Sequence, residues 1–420
     1  MPRIVGMRGL IASSIGVTCA AALALPLTLP APSHATPPRS QDSLPGSTQS
    51  LALTPLTTPR ATGMPQEQGL PQRDVHPFSL VGVVWDDPDT ELHGHVQVRT
   101  RTTGTSAWSA WQDVETHNDD APDLESPEHT GARVRGATAP LWVGDSDGVE
   151  VRVSGEATRA ASLTPFPDGL RLELVDPGPP QGAAAPTKTD TTTASDTTTA
   201  SDATAASDET DTDATKARPY VGPRPRIITR KGWGANEKLR ERKFGYTKTV
   251  KAAFVHHSAT GNNYRCSQAP SVIRSIYRYH VKSSGWRDIG YNFLVDKCGN
   301  IYEGRAGGVT KPVMGAHTLG FNTNSMGIAV LGSFSGTNPP AAAVNALAEL
   351  TAWKLGLYGA NPRGTTYLKS GGGNLYRKGK NVRLHVISGH RDGFATECPG
   401  RRLYNKLGNA RSSSARLQGR

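Results

Sequence analysis

Between residues 178 and 220 the chain cannot build a packed core. Thr191-Thr192-Thr193-Ala194-Ser195-Asp196 repeats at 197–202 and decays into Ala-Thr-Ala-Ala-Ser-Asp at 203–208. A stretch so poor in apolar side chains has nothing to offset the entropy of ordering it. The rest of the 420 residues must therefore fold as two units joined by a tether, residues 178–220. Its Thr and Ser density also suits O-glycosylation, although disorder alone accounts for the composition. Residues 36–74, rich in Pro, Thr, Ser and Gln, are expected to be disordered for the same reason.

The first 35 residues carry Arg3 and Arg8, an apolar run over 11–29, and Ser33-His34-Ala35 as a small-residue cleavage site. This is the pattern of a secretory signal peptide, residues 1–35. Pro26 and Pro30 interrupt the run before it reaches the roughly 20 residues of a membrane span. The residues before Cys19 lack the small-residue pattern of lipoprotein attachment. The expected location is extracellular and associated with the cell wall.

Residues 75–177 alternate apolar and polar side chains at period two, over 78–85, 95–101, 148–153 and 170–175. Half-buried strands separated by Asp-, Pro- and Gly-bearing turns predict an N-terminal all-β sandwich. Residues 221–410 read differently. Apolar runs at 252–255, 292–295, 326–332 and 382–387 predict buried strands, while helical periodicities start near Pro270, Pro339-Pro340 and Pro399. The expectation is a C-terminal α/β domain whose mixed central sheet is flanked by helices, followed by a basic tail over 411–420.

Charge is divided unequally. From Ala217 to Arg420 there are 33 Lys and Arg against 8 Asp and Glu, a net of +25; the remainder carries 14 against 28, a net of −14. Lys369, Arg377, Lys378, Lys380 and Arg383 form one basic stretch, and Arg401, Arg402, Lys406, Arg411, Arg416 and Arg420 another. Such a surface suits an anionic partner. In an exported chain with no recognisable nucleic-acid-binding fold, an anionic envelope polymer fits better than nucleic acid.

His390 stands eight residues before Cys398, and His256-His257 lie well upstream. Two imidazoles and a thiolate suit Zn²⁺, and three protein ligands leave one tetrahedral position open, as hydrolytic sites require. Strand alternation lets only one of His256 and His257 face the metal without choosing between them. Without Cys19, an odd number of cysteines remains. If Cys398 binds metal, Cys266 and Cys298 are free to pair in an oxidising exterior.

Five blocks carry a resemblance: Ile228-Thr229-Arg230-Lys231-Gly232-Trp233-Gly234; Val255-His256-His257-Ser258; Gly285-Trp286-Arg287-Asp288-Ile289-Gly290-Tyr291-Asn292-Phe293; Gly315-Ala316-His317 with 322–327; and Gly389-His390-Arg391-Asp392 with Glu397-Cys398-Pro399-Gly400. Over about 225–408 the chain resembles the peptidoglycan recognition protein family and the related type 2 N-acetylmuramoyl-L-alanine amidases. The resemblance implies zinc ligands at His256, His390 and Cys398. It also implies a phenol at Tyr291 beside the attacking water. Thr396 stands where similar phage enzymes carry a lysine; its hydroxyl can still donate, and catalytic recognition proteins resemble the chain there. His317 and Asn322 fall in the implied substrate-binding block.

The activity implied is hydrolysis of the amide between the lactyl group of muramic acid and L-Ala of peptidoglycan. A non-catalytic muropeptide-binding protein of the same fold is the alternative, distinguished by having no need of Cys398 or Tyr291. In the β domain, Trp108 and Trp111 invite sugar stacking, and Asp145 and Asp147 invite calcium. Turn and core roles account for both, since full calcium-loop spacing is missing.

Overall fold

Apolar alternation pairs the strands of the first half into an antiparallel sheet. The computed structural model describes residues 45–56, 67–116, 120–131, 133–155, 165–180 and 220–420. The expected signal peptide and nearly all of the tether lie outside the described residues. The strands are β1 (Ser47–Ala52), β2 (Thr54–Pro55), β3 (Glu67–Trp85), β4 (Gly94–Thr102), β5 (Gln112–Val114), β6 (Gly136–Ala137), β7 (Leu141–Gly155) and β8 (Arg171–Asp176).

All-β character is as expected, but the strands form one eight-stranded sheet, β1-β8-β3-β7-β4-β5, with β2 and β6 also on β3. Long β3 shifts register against β7 between Leu70 and Arg73, Asp74 and Phe78, and Phe78 and Leu80. Such bulges bend a strand and let it continue from one layer into the next. The expected disorder over 36–74 is corrected for 45–56 and 67–74, the part of that range that is described. β1 pairs along its whole length with β8, and β3 begins at Glu67. Edge pairing needs backbone rather than apolar side chains, so Ser-Thr-Gln-rich composition hid it.

Of the strands expected to be half-buried, those at 78–85 and 170–175 are covered on both faces, whereas 95–101 and 148–153 alternate as expected. Val81, Val83 and Trp85 enter the β domain's own core with Val96, Val98, Val151 and Leu172. Leu80, Val84, Trp142 and Val175 instead join a cluster with Ala269, Val272, Ile276 and Tyr279 of the second domain. Each such side chain contributes about 1.5–3 kcal/mol relative to exposure, which is ample to hold two tethered domains together. Gly82 permits the approach, because a Cβ there would lie 2.3 Å from the Tyr279 hydroxyl.

The second domain contains β9 (Ile227–Ile228), β10 (Ala252–His257), β11 (Phe293–Val295), β12 (Ile301–Glu303), β13 (Ser325–Val330), β14 (Thr365–Lys369), β15 (Asn381–His385) and β16 (Ile387–Gly389). Its helices are α1 (Ala269–Arg278), α2 (Ala341–Gly356), α3 (Arg401–Tyr404) and α4 (Leu407–Leu417). The main sheet runs β16-β10-β13-β11-β12-β9. Only β11 and β12 pair antiparallel within it, so the sheet is mixed. β14 and β15 form a separate hairpin.

β10 is buried along both faces, as befits a central strand among parallel neighbours. Ala253 and Val255 pack with Leu347 and Leu350 of α2 and Leu407 of α4; α1 covers Leu294 and Ala329 from the other side. The basic tail expected over 411–420 is instead a packed element. Ser414, Ala415 and Gln418 are buried, and the Gln418 Nε2 amide donates to Ala352 O at 2.9 Å. Small residues one turn apart let α4 lie against α2, while Arg416 faces outward and Arg411 Nε donates to Ile387 O of β16 at 2.8 Å. No helix among the described residues is long and apolar enough to cross a membrane.

Candidate metal centre and the strap across it

Strand alternation separates the two adjacent histidines. His256 shares the face of Phe254, whereas His257 Nε2 lies 3.0 Å from Glu115 Oε1 of the β domain. β16 runs beside β10 and delivers His390, bringing the two imidazoles to 4.4 Å between ring centroids. Cys398 returns on the following loop, where Arg391 N donates to Cys398 O at 3.0 Å and Cys398 N donates to Thr396 Oγ1 at 3.2 Å. Its Sγ lies 3.8 Å from His256 Nδ1. One ligand atom each from His256, His390 and Cys398 fits within 4.8 Å, and all three residues are buried.

The other ring nitrogen of His256 is oriented from behind. Nε2 lies 3.3 Å from Thr318 Oγ1, which lies 3.0 Å from His317 Nδ1. Holding the far nitrogen is how metal-ligating histidines are usually aimed. His317 itself is buried 5.3 Å from the His256 ring. Asn322 braces this loop, its Oδ1 accepting from His317 N at 2.7 Å and Thr318 N at 3.2 Å. Tyr291 is fully buried beside His256, with ring centroids 5.6 Å apart.

One residue of the centre was not singled out from sequence. Asp120, from the β domain, places Oδ1 2.9 Å from His256 Nδ1 and 3.5 Å from His390 Nδ1. Its Oδ2 accepts from the Tyr291 hydroxyl at 2.5 Å. Despite that proximity, Asp120 Oδ1 and both ring nitrogens of His390 are buried without a hydrogen bond. Atoms this close that do not point at one another converge on a common centre. Tetrahedral zinc with about 2.0–2.3 Å bonds requires ligand atoms roughly 3.3–3.6 Å apart. Here Asp120 Oδ1 lies 2.9 and 3.5 Å from the two imidazoles, Cys398 Sγ lies 3.8 Å from His256, and the imidazoles and thiol stay within 4.8 Å of one another, a spread that a bound ion would draw together. The donor set therefore fits zinc.

Electrostatics agree with that fit. Burial pushes His390 down to about 3 and His317 well below the usual imidazole range, so both rings are neutral. Burial, and then the carboxylates of Asp120 and Glu115, push the Cys398 thiol up; only a cation would make it a thiolate here. For Asp120, burial acts upward, but the charge and hydrogen bond of His256, with His390 and Tyr291, hold the carboxyl below its ordinary range.

Asp120 belongs to a strap connecting β5 to β6. Asp123 Oδ1 accepts from Gly320 N and from Asn322 Nδ2, each at 2.8 Å. Glu128 takes both terminal nitrogens of Arg305 at 2.8 Å and Arg287 N at 3.0 Å. Glu125 pairs with Lys378. The signal available in sequence was the run of seven acids and no Lys or Arg over 113–128, facing a domain of strong positive charge.

Elsewhere, Cys266 and Cys298 form a disulfide. Arg152 sits 4.3 Å over the Trp111 ring and Arg99 lies 5.6 Å from Trp108, so arginines cover the aromatic pair offered for sugar stacking. Asp147 pairs with Arg101 at 2.8 Å and Asp145 accepts from Ser79 at 3.1 Å; neither joins a metal-binding group among the described residues.

Two family models match. Residues 246–401 match one described as N-acetylmuramoyl-L-alanine amidase, and residues 37–193 match one described as Rv3811 N-terminal galactose-binding domain-like. The chain is 30% identical over 183 residues to peptidoglycan-recognition protein SC2 of Drosophila simulans, covering 43% of this chain and 84% of that protein. It is 35% identical over 155 residues to peptidoglycan-recognition protein SC1a of Drosophila melanogaster, covering 37% and 70%. Among solved structures it is similar to peptidoglycan recognition protein-LE in complex with tracheal cytotoxin, a monomeric diaminopimelic acid-type peptidoglycan. That match has 32% identity, covers 44% of this chain and 92% of that one, and has a TM-score of 0.35.

Proposed function

Because the chain belongs to the family of peptidoglycan-recognition proteins and type 2 amidases, we propose that it is an exported, cell-wall-associated zinc amidase. It cleaves peptidoglycan between the lactyl group of muramic acid and L-Ala of the stem peptide. The observation that carries this reading is the buried convergence of His256, His390 and Cys398. A protein that only bound muropeptide would gain nothing from burying a thiol beside two converging imidazoles, one of them without a hydrogen bond at either nitrogen.

His256 Nδ1, His390 Nδ1 and Cys398 Sγ would hold zinc, which supplies Lewis acidity and a water made nucleophilic near neutral pH. Thr318 fixes the His256 ring from its far nitrogen. Tyr291 directs its hydroxyl into the centre, where it can donate to the oxyanion developing from the scissile carbonyl. Burial of the site excludes bulk water and strengthens that hydrogen bond. Thr396 Oγ1 accepts from Cys398 N, so its support for this reading is as a brace for the thiolate loop, a role a lysine would not fill. His317 and Asn322 shape the loop facing the substrate.

Elemental analysis of the purified chain is expected to find one zinc, lost in Cys398→Ala and His256→Ala. Zinc-loaded chain incubated with sacculi is expected to release new alanine amino termini. A zinc-free chain, or equal release by Cys398→Ala, would overturn the reading.

A further inference from the structure

The connection from Val114 to Gly136 is about 20 residues long, beyond the roughly 12–15 at which an irregular loop in a compact domain calls for a function of its own. Instead of crossing the surface of the β domain it leaves that domain and lines the catalytic face of the other. Its carboxylates are met one by one by donors of the amidase domain: Asp120 by Tyr291, Asp123 by Gly320 and Asn322, Glu128 by Arg305 and Arg287. A carboxylate as buried as that of Asp120, 1% exposed, carries a heavy desolvation penalty unless cations compensate it. A divalent ion at the point where Asp120 Oδ1, His256 and His390 converge would supply that compensation.

Resting on the zinc-amidase reading, we propose that the strap is autoinhibitory. Asp120 Oδ1 is the fourth ligand of the metal, and the full-length chain is a partly latent amidase, turning over only in the fraction of molecules from whose cleft residues 120–131 have withdrawn. Asp120 stands where the attacking water and the scissile carbonyl would stand, and it engages the Tyr291 hydroxyl that the carbonyl would need. Asp123 holds Asn322 of the substrate loop. The space left beside Asp120 is a cavity of about 120 Å³ walled mostly by the β domain and the strap, Trp85, Leu92 and His129 among them, and closed by Trp286, Leu319 and Asn374 of the second domain, below the roughly 300–1,000 Å³ of sites that take a drug-sized ligand. A catalytic role for Asp120 conflicts with its geometry: Oδ2 accepts from the Tyr291 hydroxyl, Oδ1 lies against the ring nitrogens of His256 and His390, and the adjoining space is too small for substrate.

The test uses the full chain, as wild type and as Asp120→Ala, with cobalt(II) in place of zinc. Azide is expected to leave the visible cobalt bands of the wild type unchanged and to shift those of Asp120→Ala, whose fourth position is open. A second variant, Asp123→Ala/Glu128→Gln, keeps Asp120 but loosens the strap. In chelator-treated protein it is expected to bind a disaccharide-tripeptide muropeptide at least about tenfold more tightly than wild type, since apparent affinity scales with the fraction of open clefts. Azide shifting both cobalt chains alike, or equal muropeptide affinity, would overturn the strap's role and leave the amidase reading standing. Cobalt binding to neither chain would overturn the metal reading itself.

Discussion

At residue scale the centre is defined by what lacks a partner. Asp120 Oδ1 and the two nitrogens of His390 are buried without hydrogen bonds, whereas nearly every other buried polar group in a folded protein is satisfied. The expected consequence for Tyr291→Phe is a kcat about 10²–10³-fold lower with KM little changed, measured on soluble muropeptide. A second prediction concerns stability. Burial lowers Lys354 to about 7, while its ammonium donates to Val309 O and Lys311 O at 2.5 and 2.7 Å. Between about pH 7 and the ordinary lysine range near 10.4 the unfolded chain holds the extra proton, so stability rises with pH. Lys354→Met should therefore flatten that rise, its advantage over wild type shrinking from pH 7 to pH 10 in denaturant melts. An unchanged slope would contradict the placement of this amine.

At the scale of elements, β3, β4, β7 and β8 were legible from period-two alternation and β10, β11 and β13 from apolar runs, whereas the buried strand expected over 382–387 divides between β15 of the separate hairpin and β16 of the main sheet, with His385 and Val386 at the break. Helix starts at Pro270 and Pro340 were legible from proline chemistry. β1 was not, because an edge strand needs only backbone and its side chains read as a polar leader. Docking of β3 was not, because Leu80 and Val84 look like the second face of any central strand until α1 is placed beside them. The strap was not, because acids in a loop ordinarily mark a solvated turn. Gly82→Val should force Tyr279 away and weaken docking, seen as faster amide hydrogen exchange over 120–131; unchanged exchange would show that the strap holds independently of this contact. Replacing Cys266 and Cys298 by serine should cost about 2–4 kcal/mol in equilibrium unfolding. The bond ties the start of α1 to the turn after β11 and is remote from the metal ligands, so zinc content should be unchanged.

At the scale of the molecule, the division of charge acquires a physical role. The sequence carries a net of +25 from Ala217 to Arg420 and −14 in the rest, and among the described residues the acidic strap over 120–131 meets the basic domain at close range. The basic surface that suits an anionic envelope polymer thus also seats the chain's own inhibitor, and a sufficiently anionic wall can compete with part of that seat, as at Lys378. The five sequence blocks pointed to His256, His390 and Cys398, and these three residues do converge in the fold. The fourth group came from the other domain, 136 residues before His256, where no local spacing connects the two.

The most direct measurement is the mass of products from a disaccharide-tripeptide muropeptide incubated with zinc-loaded Asp120→Ala. The account predicts two products, an intact disaccharide ending in the free lactyl carboxylate and an intact tripeptide with a new alanine amino terminus, formed faster than by wild type and not at all by Asp120→Ala/Cys398→Ala. An unchanged substrate mass with a fully zinc-loaded variant, or cleavage at any other bond, would contradict it.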